Sequence, residues 1–183
     1  VPFHYYGIRD KLVDYKSTDQ HKISREIAKN DNVEFIINEI NKHRPNGKLK
    51  CLAFCTSIGH ATLMSEKFNE LGIKAVALTG KNDLGERITA FNNLQSDNHD
   101  LEIICAVDIL NEGVDIPCVN MVLFLRPTES TTVFIQQLGR GLRKFKDKEL
   151  IKVVTGIRRC GKSTLFDLFI KELKDSGIEE KQI

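Results

Sequence analysis

The sequence predicts an α/β fold with a mainly parallel central sheet covered by helices on both faces. Three observations carry that expectation. Short apolar runs, such as residues 101–107 and 119–125, are too continuous for a half-exposed sheet. Amphipathic stretches with capping residues at their starts separate these runs. Each strand–helix–strand passage then implies a right-handed crossover and parallel neighbours.

The elements follow in order. Asp31 can cap a helix whose apolar positions Phe35, Ile36, Ile37 and Ile40 precede Lys42 and the breaker Pro45-Asn46-Gly47. Residues 49–55 read as a buried strand. Ser57 caps a second helix through Leu63, Met64, Phe68 and Leu71, closed by Gly72. Residues 73–78 form the next strand, and Asp83 opens a helix through Ile88, Phe91 and Leu94. After the strands at 101–107 and 119–125, Ser130 can cap a helix with Phe134, Leu138 and Leu142 as its apolar stripe. Leu150–Thr155 is a further strand, and a final helix starts at Lys162. Residues 1–30 have weak periodicity and are expected to be an extension or interdomain segment. Residues 31–150 form the main domain. Residues 151–183 add a strand, a loop and a helix packed on or appended to it.

Composition excludes several classes. The chain has 183 residues, 41% hydrophobic and 28% charged, with a net charge of +2. That is ordinary for a soluble globular protein, and any polyanion binding must come from a local patch. No apolar run approaches a membrane span, and the opening VPFHYYG does not read as a signal peptide. Cys51, Cys55, Cys105, Cys118 and Cys160 lack zinc-like pairing. They are expected to be reduced and mostly buried thiols of a cytoplasmic protein without a metal site.

In such sheets, ligands gather beyond the carboxyl ends of the strands. One helix there carries the densest signal, Gln136-Gln137-Leu138-Gly139-Arg140-Gly141-Leu142-Arg143. Gln136, Arg140 and Arg143 share the face opposite the apolar stripe, and the glycines clear space around two guanidiniums. That arrangement suits a phosphate tail; the alternative is a surface helix with two solvated arginines. In the loop after residues 101–107, Gly113 permits close backbone approach. Asp115 can accept from ribose hydroxyls or orient an arginine, or bond local amides in a turn stiffened by Pro117.

Taken in register, these segments resemble the second RecA-like domain of superfamily 2 helicases and translocases, over roughly residues 33–147. Cys51-Leu52-Ala53-Phe54-Cys55-Thr56-Ser57 is similar to motif IV. Leu78-Thr79-Gly80, with Gly85-Glu86-Arg87 and Phe91, is similar to the segment that follows it. Ala106-Val107-Asp108 through Pro117 resembles motif V, and Gln136-x-x-Gly139-Arg140-x-x-Arg143 resembles motif VI. The resemblance implies a RecA-like three-layer sandwich. It looks closest to the DEAH-like and restriction-type branch, so DNA is the expected track rather than RNA.

By that resemblance, Arg140 and Arg143 would be catalytic arginine fingers that reach a nucleotide held on the first RecA-like domain. Gly113, Asp115, Gln136 and Gly139 would contact the nucleotide. Ser57, Thr79 and Gly80 would lie along the nucleic-acid backbone. ATP and Mg2+ are the implied cofactors. Val107 departs from the pattern, standing where many members carry a threonine. The phosphate-binding loop and Asp-Glu box of the first domain have no counterpart here, so the chain alone is expected to hydrolyse nothing.

A second signature follows. Gly156-Ile157-Arg158-Arg159-Cys160-Gly161-Lys162-Ser163 fits G-x-x-x-x-G-K-[ST] between an apolar strand and an amphipathic helix. Its amides would cradle a β-phosphate, Lys162 would reach the β- and γ-oxygens, and Ser163, next to Thr164, would ligate nucleotide-bound magnesium. The segment resembles the start of an AAA-type ATPase, with few residues after it. Ile103-Ile104-Cys105-Ala106-Val107-Asp108 looks like a Walker B strand but is better explained as motif V. Two coding fragments meeting near residues 148–150 account for both signatures, with Leu150–Thr155 completing the main sheet. The competing functional readings are an autonomous P-loop nucleotide binder and a nucleic-acid-binding domain without a motor role.

Overall fold

The computed structural model describes residues 3–8, 22, 25, 27–107, 118–125, 150–155 and 171. Its strands are β1 (Phe3–Ile8), β2 (Cys51–Phe54), β3 (Ala75–Leu78), β4 (Ile103–Ala106), β5 (Met121–Phe124) and β6 (Leu150–Thr155), with helices α1 (Asn30–Lys42), α2 (Ile58–Glu70) and α3 (Leu84–Gln95). The strands form one six-stranded sheet in the order β1-β6-β5-β2-β4-β3. Every pairing is parallel.

Strands β2, β4 and β5 are buried at every position. That is why their sequences are apolar throughout rather than alternating: both faces are covered. Alternation survives in where the side chains go. Cys51, Ala53 and Cys55 join Ile36 and Ile40 of α1 and Met64 and Phe68 of α2 in one core cluster. Leu52 and Phe54 face the other way, where Phe54 stacks on its register partner Phe124 at 5.4 Å between ring centroids. The steps β2→β3 and β3→β4 cross the sheet in opposite directions, so right-handed crossovers put α2 and α3 on opposite faces. Ala90 and Leu94 are the buried positions of α3.

The helix ends show the expected chemistry with one correction. Asp31 does not cap α1. The N-cap is Lys29, in extended conformation with no side-chain cap, and its carbonyl takes the amides of Asn32 and Val33 at 3.0 Å. Asp31 sits instead in the first turn, where a carboxylate favours the helix dipole. Gly72 ends α2 as expected, at φ +86°, a conformation that favours glycine. The Ile73 amide reaches back to Phe68 O at 2.9 Å and the Gly72 amide to Asn69 O at 3.1 Å, a Schellman arrangement. Ile73 and Phe68 then pack in the same core cluster.

Two strands extend the sheet beyond β5. Leu150–Thr155 lies in the main sheet, in register with β5 from Met121↔Ile151 onward. Phe3–Ile8 falls in the segment expected to be an extension, yet it is the outermost strand, paired along its whole length with β6. Tyr6 of β1 also stacks on His43 at the end of α1, with centroids 3.6 Å apart. Edge pairing supplies order that the local sequence does not, since the partner's backbone provides the hydrogen bonds.

Asn120 joins the amino ends of the central strands. Its Oδ1 accepts from the Lys50 amide at 2.8 Å, and its Nδ2 donates to Lys48 O at 2.9 Å. The two lysines then run to the end of α3. Lys50 Nζ donates to Gln95 O at 2.7 Å and pairs with Asp97, and Lys48 Nζ donates to Ser96 O at 2.6 Å and to His99 O. Cations at a helix carboxyl end oppose its partial negative charge. No helix among the described residues is long and apolar enough to cross a membrane.

Candidate functional site

Because every strand is parallel, the loops after β2, β3 and β4 emerge from one edge of the sheet. β4 lies between the other two, so Ser57 and the Thr79-Gly80 loop flank Val107. The edge is stitched by Cys55 N to Ala106 O at 2.9 Å and Val107 N to Leu78 O at 3.4 Å.

After β2 the chain turns through Thr56 into Ser57. The Ser57 backbone is extended, and its Oγ accepts from the His60 amide at 3.2 Å, which starts α2. One lone pair of the hydroxyl thereby serves the helix, and its O–H remains a donor. His60 itself is 2% exposed. Its Nδ1 accepts from the Thr56 amide at 3.2 Å and lies 2.9 Å from Thr56 Oγ1. An amide can only donate, so the ring proton belongs on Nε2, which is buried with no hydrogen-bond partner among the described residues. Burial holds the imidazole neutral, pushing its pKa down to about 4. A cavity of about 620 Å³ opens beside this turn, lined by Arg25, Ser57, Ile58, Gly59, His60, Leu63 and Val107.

After β3 the loop is fixed mostly by side chains. Asn82 Oδ1 accepts from the Thr79 amide at 2.8 Å and from Thr79 Oγ1 at 3.3 Å, and Thr79 Oγ1 accepts from the Lys81 amide at 3.2 Å. Asp83 and Glu86 form the capping box that begins α3: Asp83 Oδ1 takes the Glu86 amide at 2.8 Å, and Glu86 Oε2 takes the Asp83 amide at 3.0 Å. Arg87 closes the loop from below. Its Nε donates to Asn82 O at 3.0 Å, and its terminal nitrogen reaches Thr79 O and Gly80 O, each at 3.4 Å. Thr79 is buried at 5% exposure, whereas Gly80 is exposed.

The structure thus brings Ser57, Thr79 and Gly80 to one edge. The expected residues Gly113, Asp115, Gln136, Gly139, Arg140 and Arg143 lie outside the described residues, as do Gly156, Gly161, Lys162, Ser163 and Thr164. Among the described residues no group of three His, Cys, Asp or Glu could hold a metal ion. Cys51, Cys55, Cys105 and Cys118 are buried thiols outside any disulfide, and burial pushes the Cys51 pKa well above its ordinary range. Sequence reasoning missed the roles of His60 and Asn82. A histidine at the third position of a capped helix, four residues after a threonine, was the available signal for the first.

The family model described as "Helicase conserved C-terminal domain" matches residues 31–145. UvrABC system protein B of Thermotoga neapolitana is 31% identical over 140 residues, which is 72% of this chain and 21% of that protein. The type I restriction enzyme EcoKI endonuclease subunit of Escherichia coli is 32% identical over 123 residues, 59% of this chain and 10% of that subunit. The crystal structure of the yeast DEAD-box splicing factor Prp28 superposes with a TM-score of 0.63 at 16% identity, covering 94% of this chain and 32% of that one. The chain spans about a fifth of the length of the first curated relatives it matches.

Proposed function

Because the chain belongs to the helicase conserved C-terminal domain family, we propose that it is the C-terminal motor half of an ATP-dependent superfamily 2 helicase or translocase. The observation that carries this reading is the edge itself. Within the span matched to the family, the carboxyl ends of β2, β4 and β3 stand side by side in a fully parallel sheet. That is where α/β sheets place their ligands.

In this reading the first RecA-like domain of the full-length protein binds ATP and Mg2+, and this chain completes the site. Arg140 and Arg143 supply positive charge to the γ-phosphate, with Gly113, Asp115, Gln136 and Gly139 against the nucleotide. Ser57, Thr79 and Gly80 lie along the nucleic-acid backbone, with the exposed Gly80 contacting phosphate without reading sequence and the buried Thr79 holding the turn. DNA is the favoured track, supported by the restriction-type form of the Glu112–Pro117 and Gln136–Arg143 segments and by the likeness to a type I restriction endonuclease subunit. Joining this chain to a first RecA-like domain from the same gene tests the reading. Nucleic-acid-stimulated ATP hydrolysis by the joined protein should fall by roughly 10³-fold or more on Arg140→Ala; an unchanged rate sinks the assignment.

A second reading is favoured by the placement of β6. This strand lies in the main sheet, parallel to β5, and leads directly into the Gly156–Ser163 motif. That loop would be a nucleotide-binding fragment of the AAA type, holding ATP-magnesium through Gly156, Gly161, Lys162, Ser163 and Thr164. Binding of ATP-magnesium by the chain, lost on Lys162→Ala and kept on Arg140→Ala, selects it over the first.

A further inference from the structure

Resting on the nucleic-acid reading above, we infer that Arg87 is a positioning residue that turns the Gly80 amide outward as a donor to a backbone phosphate. The peptide unit is planar. In a trans peptide the carbonyl and the following N–H point in opposite directions. Arg87 and the Asn82 amide draw the Thr79 carbonyl inward, at 3.4 and 3.2 Å. The N–H of Gly80, on the far side of that same peptide, must then point away from the guanidinium.

The remaining amides of the loop are all engaged. Thr79 N donates to Asn82 Oδ1, Lys81 N to Thr79 Oγ1, Asn82 N to Thr79 O and Asp83 N to Glu86 Oε2. Gly80 alone among residues 79–83 has an amide with no acceptor among the described residues, and it is exposed. The glycine serves no internal need. Its backbone lies outside the left-handed region, and a Cβ built on it meets nothing within 4 Å. The position is exposed and open, so a phosphate can approach its backbone closely. Arg87, by contrast, is half-buried, its Nε donating to Asn82 O and its Nη2 to the carbonyls of Thr79 and Gly80. In this inference it shapes the loop rather than binding the phosphate.

The salt dependence of binding separates these roles. The chain is titrated into a fluorescein-labelled oligothymidylate, and anisotropy is read over a salt series, with a thermal melt of each variant. Arg87→Lys keeps the charge but cannot fork to three carbonyls. It should weaken binding by roughly tenfold while leaving the slope of log affinity against log salt unchanged. Gly80→Ala should weaken binding with an unaltered melt, and it carries the test if Arg87→Lys fails to fold. Wild-type affinity in Gly80→Ala or in a folded Arg87→Lys protein overturns the inference. So does a slope that falls by about 0.7 in Arg87→Gln, which removes the charge, the mark of a lost direct phosphate contact. No binding by the wild-type chain overturns the nucleic-acid reading itself, and this inference with it.

Discussion

The Thr56 amide donates to Nδ1 of His60 at 3.2 Å, and this one bond sets the tautomer of a buried imidazole. With Nδ1 facing a donor and Nε2 enclosed without a partner, the ring has no favourable way to take up a second proton. Its pKa falls from 6.5 to about 4. The unfolded chain therefore binds the proton first as pH drops. Stability is complete above pH 6.5 and declines toward pH 4, by about 3 kcal/mol for a shift of this size. Urea unfolding of the chain between pH 7 and pH 4.5 should show this decline. In His60→Asn, whose Oδ1 can still accept from the Thr56 amide, that part of the slope should be missing. An equal slope in both proteins refutes the assignment.

Asn120 is 4% exposed and spends both ends of its amide on the backbone of Lys48 and Lys50, just before β2. Asn120→Ala removes the partner of the buried Lys50 N–H and of the part-buried Lys48 carbonyl. It should cost about 2–3 kcal/mol, seen as a lower denaturant midpoint with an unchanged m-value. Asn120→Asp keeps the acceptor and should lose less, unless burial of its charge dominates.

The capping box at Asp83 and Glu86 starts a helix with few buried positions, Ala90 and Leu94. Asp83→Ala should therefore cost about 1 kcal/mol, and Asp83→Asn much less. Because Glu86 also holds Asn82 Nδ2 at 3.1 Å, Glu86→Ala should loosen the Thr79–Asn82 loop too. Faster amide exchange at Lys81 and Thr79 is the measurement. Unaltered exchange there shows that Arg87 and Asn82 hold the loop alone.

The four described cysteines should be silent toward thiol reagents in the folded chain. Burial raises the Cys51 thiol, and the thiolate is the reactive form. Labelling of Cys51, Cys55, Cys105 and Cys118, read by peptide mass, should track global unfolding in urea. Rapid modification of any of them under native conditions contradicts their placement in the core.

Much of the central sheet was legible because burial on both faces leaves a strong trace. Residues 49–55, 101–107 and 119–125 are continuous apolar runs, and β2, β4 and β5 lie within them. Ser57, Gly72 and Asp83 were legible for the same reason: caps and left-handed turns demand particular side chains, or none. Asp31 misled because a carboxylate suits the first turn as well as the cap position, and the backbone of Lys29 decided between them. The Thr79-Gly80 loop was recognised through its resemblance. Its internal bonds were not, since the link from Arg87 to residues 79–82 depends on how α3 leaves the sheet.

The sequence by itself determined the strands β2 to β6 and the helices α1 to α3, that the sheet is mainly parallel, and which family the chain resembles. Those properties follow from local periodicity and from short motifs, whose physics is contained within a few residues. Tertiary structure alone decided that Phe3–Ile8 is an edge strand on β6, that Asn120 ties down Lys48 and Lys50, and that His60 is held neutral. Each depends on a partner's backbone or on enclosure by other elements. A linear reading cannot assign such contacts, because the same residue types are equally stable in water.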